Sequence, residues 1–312
     1  MSTGEKMKKN GFVVKFKRSI WLYILLLPSL LLLLVFSYGP IYGIIIAFKD
    51  YNSVQGIWGS PWTSDYGFGH FIRFLKAYNF FSLIRNTLTL SVYQLVVNAI
   101  CPVILALFVN EIQSRGFKRA VQTISYSPFF ISCVIMVGMT VSFLNVDRGV
   151  INKIINMFGG ETKMFMSDPK WFPHLYVWTG VWQGVGWASI VYLGSLANVD
   201  PCLHEAAVMD GAGRLKRIWY INIPAIIPIF TIQLILSVGN ILNVGFEKAY
   251  LMQNDANLAT SEIIATYAYK ISLLKKQYSF GTAVGLFNAA VNIILLTSVN
   301  YISKKVGQES LW

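Results

Sequence analysis

The stretch SIWLYILLLPSLLLLLVFSYGPIYGIIIAF, from Ser19 to Phe48, contains no charged residue. A helix needs roughly 20 residues to cross the hydrocarbon core of a bilayer, so this stretch is long enough to span one. Five more uncharged runs follow it along the chain: 86–110, 120–146, 171–199, 218–246 and 277–303. Because backbone amides in lipid must be satisfied within their own segment, we predict that each run is a transmembrane helix. The sequence therefore predicts an all-α polytopic membrane protein with six transmembrane helices.

The composition supports this class. Of the 312 residues 55% are apolar and only 13% charged, and the mean hydropathy is +0.54. A soluble protein carries about a quarter of its residues as Asp, Glu, Lys and Arg, so a water-soluble enzyme and a disordered chain are both excluded. The three cysteines, Cys101, Cys133 and Cys202, have no Cys-x-x-Cys spacing, and we expect neither a disulfide framework nor a metal cluster from them.

The distribution of Lys and Arg predicts the orientation. If the N-terminus is cytoplasmic, the inner segments hold 14 of the 26 Lys and Arg, although they are shorter than the outer loops; these segments are 1–18, 111–119, 200–217 and 304–312. The positive-inside rule then favours cytoplasmic N- and C-termini in the inner cell membrane. The net charge of +12 follows from this topology, and we expect no nucleic-acid partner. We predict a cytoplasmic basic segment over 1–18, a transmembrane domain over 19–303 and a cytoplasmic tail over 304–312.

Several functional classes find no support. The chain contains no Gly-x-x-x-x-Gly-Lys-Ser/Thr loop for ATP, and His204-Glu205 fails the His-Glu-x-x-His pattern because position 208 is Val. We therefore predict no catalytic residue and no metal site. An ion-coupled carrier normally places ionisable groups within its spans, and the six runs contain no Asp, Glu, Lys or Arg. Their polar residues are neutral amides and hydroxyls, which suit either a hydroxyl-rich solute or hydrogen bonds between helices.

One inner segment differs from the others. It reads DPCLHEAAVMDGAGRLKRIWYINIP from Asp200 to Pro224. Asp200 is a good N-cap and Pro201 suits the first position of a helix. Gly211 permits a sharp turn before a second, basic helix. A rigid helix pair in the cytosol can pass the movement of a soluble partner to the spans, and an ordinary connector is the alternative. In the outer segment 247–276 we predict a short helix over 262–270.

This segment resembles a known motif. Its Glu205-Ala206-Ala207 is followed by three residues and Gly211, and then by nine residues and Ile221-x-Ile223-Pro224. This pattern resembles the EAA loop of permease subunits in type I ATP-binding-cassette importers. Ile223 stands where the pattern more often has Leu. The resemblance extends over nearly the whole chain, and it is most similar to maltose-type carbohydrate permeases, especially their polysaccharide or lipo-oligosaccharide branch. It implies the type I importer permease fold, with cytoplasmic EAA coupling helices in the loop 200–224.

The resemblance also implies partners. In this family two permease subunits pair, an ATPase dimer docks on their EAA loops, and an extracytoplasmic binding protein delivers the solute, here a carbohydrate such as an oligosaccharide or polysaccharide fragment. ATP and Mg²⁺ are bound by the ATPase, so no cofactor is expected in this chain. The residues that would couple to the ATPase are Glu205, Ala206, Ala207, Asp210, Gly211, Ile221 and Pro224. Two alternative functions are a membrane scaffold or sensor that docks a different cytosolic protein, and an ion-coupled carrier.

A solute path is also implied. By alignment, the sugar-contact positions of the maltose permease's larger subunit fall on Gly184, Trp187, Ser237, Asn240, Ile241 and Val244. Helical spacing adds Gln183, which shares a face of the fourth run with Trp187. An indole offers an apolar surface to a sugar ring, while amides serve its hydroxyls. Gly180-x-x-x-Gly184 has a second interpretation as a helix-packing motif, and Trp187 as an anchor at the membrane interface.

Overall fold

The computed structural model describes residues 19–239, 241–242 and 245–305. Within these ranges all regular elements are helical, and the one bridge of strand type joins Lys49 and Trp62. The α-helices are α1 (Ile20–Leu33), α2 (Gly56–Gly59), α3 (Gly69–Leu75), α4 (Phe80–Asn110), α5 (Arg115–Tyr126), α6 (Cys133–Phe143), α7 (Val150–Met157), α8 (Phe172–Ala197), α9 (Pro201–Met209), α10 (Arg214–Arg217), α11 (Ile223–Gly239), α12 (Phe246–Met252), α13 (Leu258–Ser261), α14 (Ile264–Tyr269) and α15 (Tyr278–Lys305). The predicted all-α class is confirmed.

Short helical turns of other types join or extend these helices. The 3₁₀ turns are Gly39–Phe48, Asp65–Gly67 and Ser127–Phe130, and the π turns are Leu34–Tyr38, Ile218–Asn222 and Lys270–Leu274. The described part of the chain divides into two compact units, one that ends at His70 and one that begins at Phe71. In the first unit α1 buries none of its residues, and Trp21 and Leu25 are 74% and 75% exposed. An apolar helix with such exposed side chains is suited to a lipid environment.

The second unit has three apolar clusters, which hold its helices together. The first cluster joins α4, α6, α8 and α12 around the buried side chains of Leu90, Met136, Tyr176 and Met252. The second joins α3, α4, α14 and α15, and the third joins α4, α8 and α11. Helices α4 and α8 contribute to more than one cluster, so they form the central pair of this unit.

Among the described residues, four helical segments are long and apolar enough to cross a membrane, and the count is five if one bent pair is a single span. They are Ile20–Phe48, Phe80–Asn110, Arg214–Gly239 and Tyr278–Tyr301. Helix α8 covers the fourth run and has 26 residues without a charge, but it is not one of these four segments. The count of six crossings therefore stays a prediction.

The third run is not the continuous helix that we expected over 120–146. Helix α5 continues into the 3₁₀ turn Ser127–Phe130, and the chain then bends by 101° into α6 at Ile131 and Ser132, which have extended backbones. Pro128 explains why α5 gives way to a 3₁₀ turn before the bend, because its ring removes a backbone donor of the α-helix. Ser132 then caps α6, where its Oγ accepts a hydrogen bond of 3.4 Å from Ile135 N.

The fifth run also ends earlier than expected. Helix α11 ends at Gly239, whereas the uncharged run continues to Phe246, and Phe246 is the first residue of α12. Leu242 N donates a hydrogen bond of 3.1 Å to Oδ1 of Asn292 on α15, which satisfies a backbone group beyond the helix end. The short helix predicted over 262–270 is observed as α14, within the predicted range.

Candidate functional site

A cavity of about 430 Å³ lies between α4, the turn Ser127–Phe130, α8 and α11. Each of these elements supplies part of the wall. The lining residues are Asn98, Ala99, Pro102, Phe129, Gly180, Gly184, Val185, Trp187, Ala188, Val191, Tyr192, Phe230, Gln233, Leu234 and Ser237. This set is mostly apolar and aromatic with a few neutral polar groups, which is the composition typical of a small-molecule site.

Three predicted path residues line this cavity, namely Gly184, Trp187 and Ser237. Ile241 is not in the lining, and Asn240 and Val244 lie outside the described residues. Gln183 is not in the lining either. Its Nε2 donates a hydrogen bond of 2.7 Å to the carbonyl oxygen of Ile131, at the bend between α5 and α6. The amide of Gln183 therefore braces the bend, where it satisfies a carbonyl that the interrupted helix leaves free.

Trp187 is held by two aromatic neighbours. Its ring lies parallel to that of Phe129, with centroids 4.6 Å apart and an angle of 6°, and it meets Phe130 edge-on at 6.1 Å. The indole is 46% exposed, so part of it stays available to the cavity. Sequence reasoning missed Phe129 because the third run was treated as one helix. The Ser127-Pro128 pair was the signal that a turn would bring this ring into the wall.

The polar groups of the cavity are neutral. No lining residue is charged. Ser237 Oγ donates a hydrogen bond of 2.8 Å to the carbonyl oxygen of Gln233, which leaves the hydroxyl oxygen as an acceptor. The side-chain amides of Asn98 and Gln233 form no hydrogen bond with other described residues. Both therefore keep donors and acceptors for a ligand. This arrangement fits a ligand that carries several hydroxyl groups beside apolar ring surfaces.

The glycine pattern of α8 has a different meaning from the one we considered. A Cβ added at Gly184 meets no atom within 4 Å, so Gly184 keeps the cavity open and does not pack against a helix. The close-packed glycine is Gly186, where a Cβ would overlap the backbone of Ser125 at the end of α5. Gly180 has a third environment, since a Cβ there would lie 2.9 Å from Nζ of Lys248.

A second cavity of about 530 Å³ lies between α6 and α8. It is strongly apolar and includes Trp171, Trp178 and Trp182, and it contains none of the predicted path residues. Beside it, Trp178 Nε1 donates a hydrogen bond of 2.8 Å to the hydroxyl of Tyr93. Helix α8 therefore carries tryptophans toward two different cavities.

The loop between α8 and α11 has a well-defined local structure. Asp200 caps α9, because its Oδ1 accepts a hydrogen bond of 2.9 Å from Cys202 N. At the other end Gly211 has φ +75, and two hydrogen bonds close the turn: Ala212 N to Ala207 O at 2.8 Å and Gly211 N to Val208 O at 3.0 Å. This is a Schellman motif, which places a glycine in the left-handed region directly after a helix.

The loop presents its surface to the surroundings. No residue of α9 is buried, and Glu205, Ala206, Asp210, Gly211 and Pro224 are exposed. Ala207 and Ile221 are half-buried. Hydrogen bonds and ion pairs between the Glu205 carboxylate and other described residues are absent. Apolar side chains are also exposed, with Met209 at 87% and Leu215 at 82%, which is typical of a surface that contacts a partner.

The loop is firmly joined to the cavity helices. Ser195 Oγ on α8 donates a hydrogen bond of 2.7 Å to the carbonyl oxygen of Ala225 on α11. Leu196 and Ile226 pack together in the third apolar cluster, close to both ends of the loop. Helices α8 and α11 are thus tied to each other beside the loop, and both line the cavity. A membrane-embedded bundle with a polar and aromatic cavity and an exposed helical loop is the architecture of a transport subunit.

Comparison with known proteins gives the family. Residues 98–308 match the family described as binding-protein-dependent transport system inner membrane component, and the chain belongs to this family. It is 45% identical over 305 residues to Protein LplB of Bacillus subtilis (strain 168), covering 98% of this chain and 95% of that protein. It is 42% identical over 308 residues to the polygalacturonan/rhamnogalacturonan transport system permease protein YteP of the same strain, covering 99% and 95%.

Two crystal structures are similar as well. One is a bacterial ABC transporter involved in the import of the acidic polysaccharide alginate, with a TM-score of 0.86, 37% identity and coverage of 95% of this chain and 99% of that chain. The other is a bacterial alginate ABC transporter in complex with an alginate pentasaccharide-bound periplasmic protein, with a TM-score of 0.86, 36% identity and coverage of 95% and 98%. The predicted membership of the ATP-binding-cassette importer permeases is confirmed, and the chain is a multi-pass membrane transport component.

Proposed function

We propose that this permease takes up a carbohydrate, an oligosaccharide or a polysaccharide fragment, that an extracytoplasmic binding protein delivers. It forms one half of the translocation path with a second permease subunit, and a dimer of ATPase subunits drives it. The N- and C-termini are cytoplasmic, and the six crossings include the bent pair α5–α6 and helix α8. The substrates in the names of the similar proteins, namely polygalacturonan, rhamnogalacturonan and alginate, support the carbohydrate assignment.

One observation carries the proposal: the cavity and the exposed loop share the same two helices. Trp187 and Ser237 line the cavity on α8 and α11, and the loop that contains Glu205 connects these helices. When the ATPase moves the loop, α8 and α11 move with it because Ser195 and Ala225 are hydrogen-bonded. The width of the cavity then follows the state of the ATPase, which is the requirement for alternating access.

The contact between solute and Trp187 is tested by transport in proteoliposomes that contain both permeases and the ATPase, with the binding protein present. We expect Trp187→Ala to raise the sugar concentration for half-maximal uptake about tenfold, because this corresponds to about 1.4 kcal/mol, which is the size of a good aromatic contact. Trp182→Ala is the matched control, since Trp182 is 47% exposed on the same helix but lines the second cavity. Equal effects of the two substitutions would remove the proposed path.

The coupling role of the loop is tested by ATP hydrolysis. Glu205 is exposed, so Glu205→Lys leaves the fold intact while it reverses the charge that the partner meets. We expect the variant to insert normally and to lose the stimulation of ATP hydrolysis by the sugar-loaded binding protein. Glu161→Lys makes the same charge reversal at an exposed position between α7 and α8 and should keep the stimulation. Normal stimulation in Glu205→Lys would contradict the docking role and favour the scaffold alternative.

A further inference from the structure

Lys248, on α12, is held at a fixed position beside α8. Its Nζ donates a hydrogen bond to the carbonyl oxygen of Tyr176, and the ammonium lies 4.7 Å from the centroid of the Tyr176 ring. Tyr176 is itself buried, and its hydroxyl donates a hydrogen bond of 3.3 Å to the carbonyl oxygen of Gly245. A carbonyl and an aromatic face therefore fix the ammonium from two sides.

This ammonium has no acidic partner in the part of the chain that the structure describes. The ion pairs found there join His70 to Asp50 and Lys270 to Glu262. Glu247 precedes Lys248 on the same helix, but its side chain is exposed. An ammonium has three N–H donors, and among the described residues only the carbonyl of Tyr176 accepts from Lys248. A half-buried cation with unused donors is a costly arrangement unless a ligand uses them.

The ammonium lies directly beside the cavity wall at Gly180. Gly180 is part of the cavity wall, and a Cβ at this position would lie 2.9 Å from Nζ. Because glycine has no side chain, nothing at position 180 separates the ammonium of Lys248 from the cavity. A larger residue there would shield it. The lining residues themselves carry no charge, so Lys248 is the cation that acts on whatever occupies this end of the cavity.

We propose that Lys248 is a specificity-determining residue that selects carboxylate-bearing sugars, that is oligosaccharides of uronic acids, by pairing its ammonium with a sugar carboxylate at Gly180. This inference rests on the proposed function, because it requires the cavity between α4, α8 and α11 to be the solute path. The neutral amides of Asn98 and Gln233 serve the hydroxyl groups, and the ammonium distinguishes the acidic sugar from its neutral counterpart.

The ionisation of Lys248 agrees with this role. Lys248 lies beyond the end of α11, outside the proposed crossing helices. Burial lowers the pKa of Lys248 to about 8, while the nearby Cys133 thiol has a smaller, opposite effect. At neutral pH the side chain is therefore still mainly charged but poorly hydrated, and an ion pair with a carboxylate is stronger there than at an open surface.

The test is uptake by the complete reconstituted importer of two probes, trigalacturonate and the neutral trisaccharide obtained by reducing its carboxyl groups. Lys248→Met keeps the bulk of the side chain and removes its charge. We expect it to raise the concentration for half-maximal uptake of trigalacturonate at least about tenfold and that of the neutral probe less than about twofold. Lys248→Arg should retain most of the preference. Because the binding protein is the same in every sample, its own selectivity cancels in the comparison of variant with wild type.

Two further variants separate recognition from structure. Gly180→Ala keeps the lysine but places a methyl group between its ammonium and the cavity, so it should reproduce the selective loss of trigalacturonate uptake. Lys153→Met removes an exposed lysine on α7 and should change neither probe. Equal losses for both probes in Lys248→Met, or wild-type uptake of the neutral probe alone, would overturn the inference and leave the proposed function standing. If wild type transports no carbohydrate, the proposed function fails, and the inference fails with it.

Discussion

Replacing Gly186 by alanine tests the packing that sets the position of the cavity wall. An added Cβ would overlap the carbonyl group of Ser125 and lie 2.9 Å from Tyr126 N, whereas ordinary contacts of this kind are 3.4–4 Å. The obstacle is backbone, which cannot rotate away, so α5 and α8 must separate. Overpacking of this kind costs about 1–3 kcal/mol, and the better helix propensity of alanine offsets up to about 1 kcal/mol.

The expected result is a net destabilisation of about 1–2 kcal/mol, which corresponds to a melting temperature roughly 2–6 °C lower. The assay is thermal unfolding of the purified permease in detergent, followed by intrinsic tryptophan fluorescence. Gly194→Ala on the same helix is the control, since a Cβ there meets no atom within 4 Å and should leave the melting temperature unchanged or slightly higher. A Gly186→Ala protein as stable as the control would refute the close contact between α5 and α8.

Three further predictions concern the loop, the bend and the lysine. Gly211→Ala should weaken the turn after α9 by about 1 kcal/mol because φ is +75 there, and it should reduce sugar-stimulated ATP hydrolysis. Gly213→Ala is the control, since φ is −68 there and ATP hydrolysis should stay unchanged. Equal ATP hydrolysis in the two variants would contradict the role of the turn. Gln183→Leu should lower the melting temperature in detergent by roughly 1–4 °C, since hydrogen bonds within membrane bundles are worth about 0.6–1.7 kcal/mol. Gln94→Leu is the control, because it removes an amide that forms no side-chain hydrogen bond among the described residues. Equal melting temperatures of the two variants would exclude the bond from Gln183 to Ile131 as a stabilising contact. The preference for trigalacturonate should be present below pH 8 and disappear as the pH rises through the pKa of Lys248, about 8, because only the protonated lysine attracts the carboxylate. Lys248→Arg should keep its preference up to pH 10. Cys133→Ser should follow the wild-type profile, which excludes the thiol. Further ionisable groups on the helices around Lys248 are His174, Tyr176 and Tyr192 on α8 and Glu247 and Tyr250 on α12. A flat wild-type profile would contradict the role of the lysine.

Local rules in the sequence predicted some features correctly. The N-cap at Asp200 follows from short-range hydrogen bonding, and the helix it begins was expected from a few neighbouring residues. The uncharged runs predicted the membrane class because hydropathy is a property of composition. In each case the physical cause lies within a few residues along the chain.

Other features depend on which residues meet in three dimensions, and sequence reasoning missed them. The pattern Gly180-x-x-x-Gly184 suggested a packing face, but Gly186 is the glycine against which a second helix lies. Gln183 was assigned to the path by helical spacing, yet the bend at Ile131 brings a free carbonyl to it. Lys248 was counted only as a charge in an outer loop, since nothing in the sequence places its ammonium beside α8.

The arrangement of α8 explains how movement of the loop can change the cavity. Successive residues of a helix point about 100° apart, so neighbouring positions have different tasks. Gly186 brings the backbone of α8 against α5, and the next residue, Trp187, stacks on Phe129 in the turn that follows α5. Two turns further along, Ser195 ties α8 to α11 beside the loop. A displacement of the loop therefore moves the indole, the bend and α11 together, because each is joined to α8 by a contact that leaves little free space. This predicts that substitutions which loosen α8 at Gly186 uncouple ATP hydrolysis from transport, even though they touch neither the solute nor the ATPase.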